Sequence, residues 1–110
     1  MSSISSFLTS FFKKESSVLG VDIGSSAIKI VQIKKKRGRA VLETYGELAL
    51  GPYAGIEIGR ATNLPADKIA EAIKDILRES KTTSVSCGVA LPYSSSLISF
   101  LNIPAVPEKQ

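Results

Sequence analysis

VLGVDIGSSAIKIVQI, residues 18–33, is the stretch that decides the fold of this chain. Two apolar, β-branched runs flank a small-residue interruption at Gly24, Ser25 and Ser26, a pattern typical of two strands joined by a tight hairpin turn. Small residues in a turn let several backbone N–H groups point at one anion, which is how such loops bind phosphate. The stretch therefore predicts a β-hairpin whose turn is a candidate phosphate site.

Each strand of this hairpin carries one charged residue. Asp22 precedes the turn, and its carboxylate offers the oxygen ligand that Mg²⁺ prefers. Lys29 follows the turn and would add a positive charge beside a phosphate. An alternative interpretation is plain turn chemistry at Asp22 and Gly24, with Lys29 a solvated strand residue. The residues alone leave both interpretations open.

The composition is that of one small globular domain. The chain has 110 residues, of which 44% are hydrophobic, and this fraction argues against disorder. Its one cysteine, Cys87, excludes an internal disulfide and suits a reducing compartment. Because Cys87 lies in an apolar run and the chain has no histidine, the sequence predicts a buried structural thiol.

Positive charge is concentrated in the run KKKRGR, residues 34–39. A solvated hairpin tip is the favoured interpretation, because charge at a tip also discourages edge pairing. Anionic lipid and nucleic acid are the functional alternatives. No aromatic residue interleaves with these charges to stack on bases, so we expect no nucleic-acid partner.

The N-terminal residues 1–17 are predicted to form a short amphipathic helix and a linker. The apolar face has helical spacing and would dock on the domain, bind a partner or lie on a membrane. We expect protein contact rather than stable membrane anchoring, because so short a helix is marginal alone in water. The residues of this face are Ile4, Phe7, Leu8, Phe11 and Phe12.

The order of elements predicts a mixed α/β fold. Residues 39–50 read as a third strand, so that the first three strands form an antiparallel meander. A loop follows over 51–63, with a short strand at 56–58. A helix over 65–79 then leads to a strand over 84–91, expected to lie parallel to a neighbour, and another strand is predicted over 97–103. The predicted buried stripe of the helix is Ile69, Ala70, Ile73, Ile76 and Leu77.

The stretch LGVDIGSSAIKIVQI resembles the first phosphate-binding motif of the actin, sugar-kinase and heat-shock-chaperone superfamily. Together with VALPYSSSLISFLNIPAVPEK, residues 89–109, it is most similar to the PilM family, actin-like proteins of the type IV pilus inner-membrane platform. The resemblance implies a ribonuclease-H-like, actin-type subdomain (β-β-β-α-β) over 18–93 and the start of an inserted small subdomain over 94–110. No second phosphate loop follows, so we expect an N-terminal fragment or truncated product that is inactive alone.

The resemblance also implies ATP and Mg²⁺ as ligands. By position, Asp22 matches the metal-facing acid, Lys29 the phosphate-facing lysine, and Gly24, Ser25 and Ser26 the phosphate turn. Ser26 departs from actin, which has glycine there, so the approach of the backbone to phosphate is expected to be slightly poorer.

A cytoplasmic scaffold at the inner membrane is the function that the resemblance implies. Its expected partner is the cytoplasmic tail of a PilN-like platform protein, bound near residues 93–103, and homo-oligomerisation is compatible with this role. The membrane would be contacted only indirectly. Little or no ATP hydrolysis is expected. The alternatives are a sugar-kinase-type enzyme and an FtsA-like cell-division protein.

Overall fold

The computed structural model describes residues 16–107, which form one four-stranded mixed sheet with an α-helix on one face. The strand order is β3-β2-β1-β4; β2 is antiparallel to β1 and β3, and β4 is parallel to β1. The elements are β1 Ser17–Ile23, β2 Ala27–Lys36, β3 Arg39–Ala49, α1 Ala66–Glu79 and β4 Cys87–Ala90, with 3-10 turns at Gly51–Ala54 and Tyr93–Ser95.

This order is the β-β-β-α-β arrangement predicted for an actin-type subdomain, so the predicted fold class is confirmed. The predicted N-terminal helix lies outside the described residues. Within residues 16–107, no helix is long and apolar enough to cross a membrane.

The hairpin between β2 and β3 turns at Arg37 and Gly38, between the paired residues Lys36 and Arg39. Both turn residues have left-handed backbone, with φ of 50° and 78°. Two consecutive positive φ angles match the right-handed twist of the flanking strands, and glycine adopts this conformation without steric cost. Further along β3 the register shifts, and Glu43 is the extra residue opposite Gln32 and Ile33.

The core lies between the sheet and α1. A Cβ at Gly46 would collide with the Ser80 side chain, so the glycine lets the helix approach β3 closely. The predicted helix stripe is correct except at Ala70, which is exposed, whereas Ala72 is fully buried. Ala72 is one helical turn from Ile76 and therefore shares its face. The buried apolar residues are Leu19, Val21, Ile28, Ile30, Leu50, Ala72 and Ile76.

The other face of the sheet is called here the open face. No helix among residues 16–107 packs against it. Val31 and Ile33 are 41% and 39% exposed there. Apart from Lys29 and Gln32, β2 is apolar on both sides over residues 27–33, a pattern typical of a strand that is covered on both faces. Within residues 16–107 only one face is covered.

Four other local predictions were wrong. No strand forms over 56–58 or over 97–103; the second segment is apolar but has no strand partner among the described residues. The fourth strand is shorter than predicted, because Ser84 and Ser86 use their polar groups in local hydrogen bonds. Cys87 is exposed rather than buried, because it lies on the edge strand β4.

Gln32 is a polar side chain inside the core and is only 2% exposed. Its Nε2 donates to the Glu43 carboxylate at 2.8 Å and to the Thr83 hydroxyl at 3.0 Å. Its Oε1 accepts from the backbone N–H groups of Thr83 and Ser84, at 2.9 and 3.1 Å. One amide thus joins the central strand to the β3 bulge and to the loop before β4.

We expect Gln32→Leu to lower the free energy of unfolding by about 2 kcal/mol, because the N–H groups of Thr83 and Ser84 would lose a buried acceptor. Thr83→Ala, which removes only one hydroxyl contact, should cost about 0.5–1 kcal/mol. Urea denaturation of both variants and the parent measures the difference. A Gln32→Leu variant as stable as the parent would show that this amide does not hold the loop.

Tyr53 and Asp75 connect the first 3-10 turn to α1. The phenol donates to the Asp75 carboxylate at 2.6 Å. That hydrogen bond, followed by burial, raises the pKa of Tyr53 to about 12. The same bond is the main cause that lowers the pKa of Asp75, with Arg78 contributing. The contact therefore fixes the 51–63 loop against the helix while the phenol is protonated and the carboxylate ionised.

This pair predicts a stability change at both ends of the pH range. The Tyr53 contribution is present below the ordinary tyrosine pKa, about 10, and is lost as the pH rises through about 12. The Asp75 contribution is present above the ordinary aspartate pKa, about 3.9, and is lost as the pH falls below it.

Absorbance titration of tyrosinate measures the ionisation of Tyr53 at alkaline pH. One of the three tyrosines should ionise near pH 12 in the parent, and Tyr53→Phe should remove that component. Asp75→Asn should lower the pKa of Tyr53 back toward the ordinary tyrosine value. A titration of the folded protein without a component near pH 12 would contradict the contact.

Candidate functional site

The parallel pair β1 and β4 defines the edge of the sheet where a ligand is expected. Asp22 is in register with Ala90, so both strands end at the same level. The turn at 24–26 follows β1, and the 3-10 turn Tyr93–Ser95 follows β4. In sheets with parallel strands, ligands bind outside the carboxyl ends of those strands. The predicted site residues therefore lie at the appropriate edge.

Asp22 and Lys29 are direct partners in the β1–β2 register. Both line one groove of about 510 Å³ that runs over the β1–β4 pair. Gly20 and Gly88 are also register partners and line the same groove, so no side chains fill this part of the sheet surface. The structure thus brings the predicted metal-facing acid and phosphate-facing lysine together.

The charges of this groove are accessible to solvent. Asp22 is exposed, and the Lys29 side chain is 62% exposed, with its Nζ 3.9 Å from the Glu47 carboxylate. An exposed pair at this distance contributes little to stability, so Lys29 can approach an added anion without breaking a strong contact. Within residues 16–107 no cluster of three or more metal-ligating side chains forms. A cation at Asp22 would therefore keep most of its water ligands, as Mg²⁺ usually does.

The turn between β1 and β2 is held by backbone contacts. The Gly24 N–H donates to the Ala27 carbonyl at 2.9 Å. A Cβ at Gly24 would lie 2.9 Å from that same oxygen, so close approach of the backbone demands glycine here. The Ser26 carbonyl accepts from the Leu50 N–H at 2.8 Å. The turn is therefore anchored to the end of β3.

Gly24 and Ser25 line a second, smaller cavity of about 220 Å³, whereas Asp22 and Lys29 line the first groove. The turn carbonyl of Ser25 accepts from the Thr62 N–H at 2.8 Å and from its hydroxyl at 3.1 Å. The predicted site is thus divided between two neighbouring cavities. The assignment of Gly24, Ser25, Ser26, Lys29 and Asp22 to phosphate and metal stays a prediction.

Sequence reasoning missed three residues of the second cavity, Thr62, Ser94 and Ser95. Nothing in the sequence points to Thr62, which is 37 positions from its partner Ser25. The serine run at 94–96 did carry a signal, because it follows β4 just as the serines at 25–26 follow β1. Small hydroxyl residues after two adjacent parallel strands meet at one edge of the sheet.

Solved structures with a similar backbone come from Aquifex aeolicus. A PPX-GPPA enzyme is 19% identical, with a TM-score of 0.44 over 69% of this chain and 26% of that one. A Ppx/GppA family member is 23% identical (TM-score 0.39, 69% and 26%), and a type II variant of the Ppx/GppA phosphatase is 22% identical (TM-score 0.40, 67% and 25%). The chain spans about a quarter of the length of these structures. A similarity at this level identifies no activity.

A protein family also matches the sequence itself. The model of the type IV pilus assembly protein PilM family matches residues 20–109. The match includes the groove, the turn and the second cavity, and it confirms the resemblance stated above. The chain therefore belongs to the family of the type IV pilus assembly protein PilM.

Proposed function

We propose that this chain is part of a type IV pilus assembly scaffold that binds ATP with Mg²⁺. One observation carries the proposal: Asp22 and Lys29 line a single groove at the carboxyl end of the parallel pair β1 and β4. Family membership favours the pilus role over the sugar-kinase and FtsA-like alternatives.

The residues present fit a hydrated cation and a phosphate. The Asp22 carboxylate would accept hydrogen bonds from the water ligands of Mg²⁺, and the Lys29 ammonium would face the phosphate oxygens. Gly24 allows the tight turn that follows Asp22, because its N–H and its Cβ position both face the Ala27 carbonyl. When bound, the cation would neutralise phosphate charge. Because Asp22 is the one acid among the described residues that line this groove, we infer binding with little hydrolysis.

The proposed partner is the cytoplasmic tail of a PilN-like platform protein. Residues 93–103 follow the site directly and expose large apolar side chains. Phe100 is 95% exposed and Leu101 is 79% exposed. Exposed apolar side chains in a segment without a strand or an α-helix suit the capture of a short peptide. This docking would hold a cytoplasmic protein at the inner membrane.

We expect Asp22→Ala, made in the full-length protein, to weaken Mg²⁺-dependent ATP binding at least tenfold, which is about 1.4 kcal/mol. The melting temperature should change little, because Asp22 is exposed. Asp67→Ala, at an exposed aspartate on α1, is the matched control and should leave ATP binding unchanged. Calorimetry with and without Mg²⁺ measures both.

Two outcomes would contradict the metal role. Equal losses of ATP affinity and melting temperature would identify Asp22 as a structural turn residue. A tenfold loss that is the same in the presence and absence of Mg²⁺ would show that the carboxylate acts without a cation.

The partner proposal predicts that replacing Phe100 and Leu101 by serine weakens binding of a synthetic PilN-like tail peptide at least tenfold. Ile58 is 78% exposed on the 51–63 loop, and Ile58→Ser is the matched control. Fluorescence anisotropy of a labelled peptide measures the affinity. Peptide binding that Ile58→Ser weakens as much as the double variant would rule out residues 93–103 as the specific site.

A further inference from the structure

Positive charge gathers at the end of the sheet opposite the groove. The run at 34–39 contains five cations and no acid, and it forms the tip of the β2–β3 hairpin, whose last paired residues are Lys36 and Arg39. Lys34 contacts Glu43 at 3.3 Å, with both side chains partly covered. Lys35, Lys36 and Arg39 are exposed. These residues form what we call the basic end.

The loop after α1 brings another cation to the same end. The Thr44 hydroxyl donates to the Ser80 carbonyl at 2.7 Å, and the Ser84 hydroxyl donates to the Ser17 carbonyl at 2.7 Å. Lys81 lies between these two anchored serines and is exposed. The basic end therefore includes Lys81, which is far from the run 34–39 in sequence.

The first strand begins at the same end of the sheet. Ser17 is the register partner of Lys34, so β1 begins beside the basic run.

We propose that the basic end binds the surface of an anionic lipid membrane reversibly, without inserting into it. The run alone favours a solvated tip, but the structure adds Lys81 to the same end of the sheet. Each lysine or arginine at an anionic surface raises the affinity about fivefold. Lipid is favoured over nucleic acid because the run 34–39 contains no aromatic residue for base stacking.

The orientation leaves the candidate nucleotide groove accessible. β1 begins at the basic end and ends at the groove, so a surface bound at one end of the sheet does not cover the other. The proposal does not depend on nucleotide or on a platform partner, and its test contains neither.

Vesicle co-sedimentation tests the proposal with the 110-residue chain. The vesicles are pure phosphatidylcholine, or phosphatidylcholine mixed with phosphatidylglycerol. We expect binding to the anionic vesicles alone, falling as ionic strength rises because screening shortens to about 8 Å at physiological salt. The triple variant K35Q/K36Q/R39Q should bind about a hundredfold more weakly. The control R60Q/K68Q/K74Q removes the same charge elsewhere and should change binding less than threefold.

Several results would overturn the proposal. One is equal weakening by the two triple variants, which would make binding a property of net charge. Another is equal binding to neutral and anionic vesicles, and a third is tighter binding to a single-stranded oligonucleotide than to the anionic vesicles. The last experiment uses a chain that lacks residues 1–14. Adding K35Q/K36Q/R39Q to this shortened chain should still weaken its binding to the anionic vesicles. If the triple substitution leaves its binding unchanged, the N-terminal segment and not the basic end makes the contact.

Folding of each variant is checked by urea denaturation, since a shifted midpoint would confuse binding with unfolding. K35Q alone serves as the second variant, because Lys35 is exposed and replacing it leaves the Arg37–Gly38 turn intact. It should weaken binding about fivefold with an unchanged midpoint. Unchanged binding by K35Q would argue against the basic end.

Discussion

The buried amide of Gln32 is the constraint on which the arrangement of this domain depends. A polar group in the core is stable only when its hydrogen bonds are made, and the partners of Gln32 come from two other parts of the chain. Glu43 reaches it from the β3 bulge, and the loop at 83–84 reaches it after α1. The same loop leads into β4. The amide therefore fixes where the last strand begins.

The position of β4 in turn creates the candidate site. Alone, the β1–β2 hairpin would present Asp22 and Lys29 on an open ribbon. Adding β4 parallel to β1 brings Gly88 beside Gly20, and the two glycines leave a groove along the strand pair. It also brings the serines after β4 to the turn after β1. A hydrogen-bond network at one end of the sheet thus determines the geometry of the candidate site at the other.

Glu43, at the bulge in β3, has two roles in this arrangement. As the extra residue of the bulge it contacts Gln32 and Lys34, and hydrogen bonds, the strongest from Ser17, hold its pKa below the ordinary glutamate value. The carboxylate thus stays ionised where cations accumulate. It partly balances the basic end while satisfying the buried amide.

The sequence by itself determined the local elements: the β1–β2 hairpin with its glycine turn, the strand order along the chain, and the helix with most of its buried stripe. These follow from alternation, helical periodicity and turn chemistry, which depend on residues a few positions apart. Only the tertiary structure decided the exposure of Cys87, the Ser25–Thr62 contact, the burial of Gln32 and the gathering of cations at the basic end. Each of these depends on pairing between residues that are distant in sequence, which no local pattern encodes.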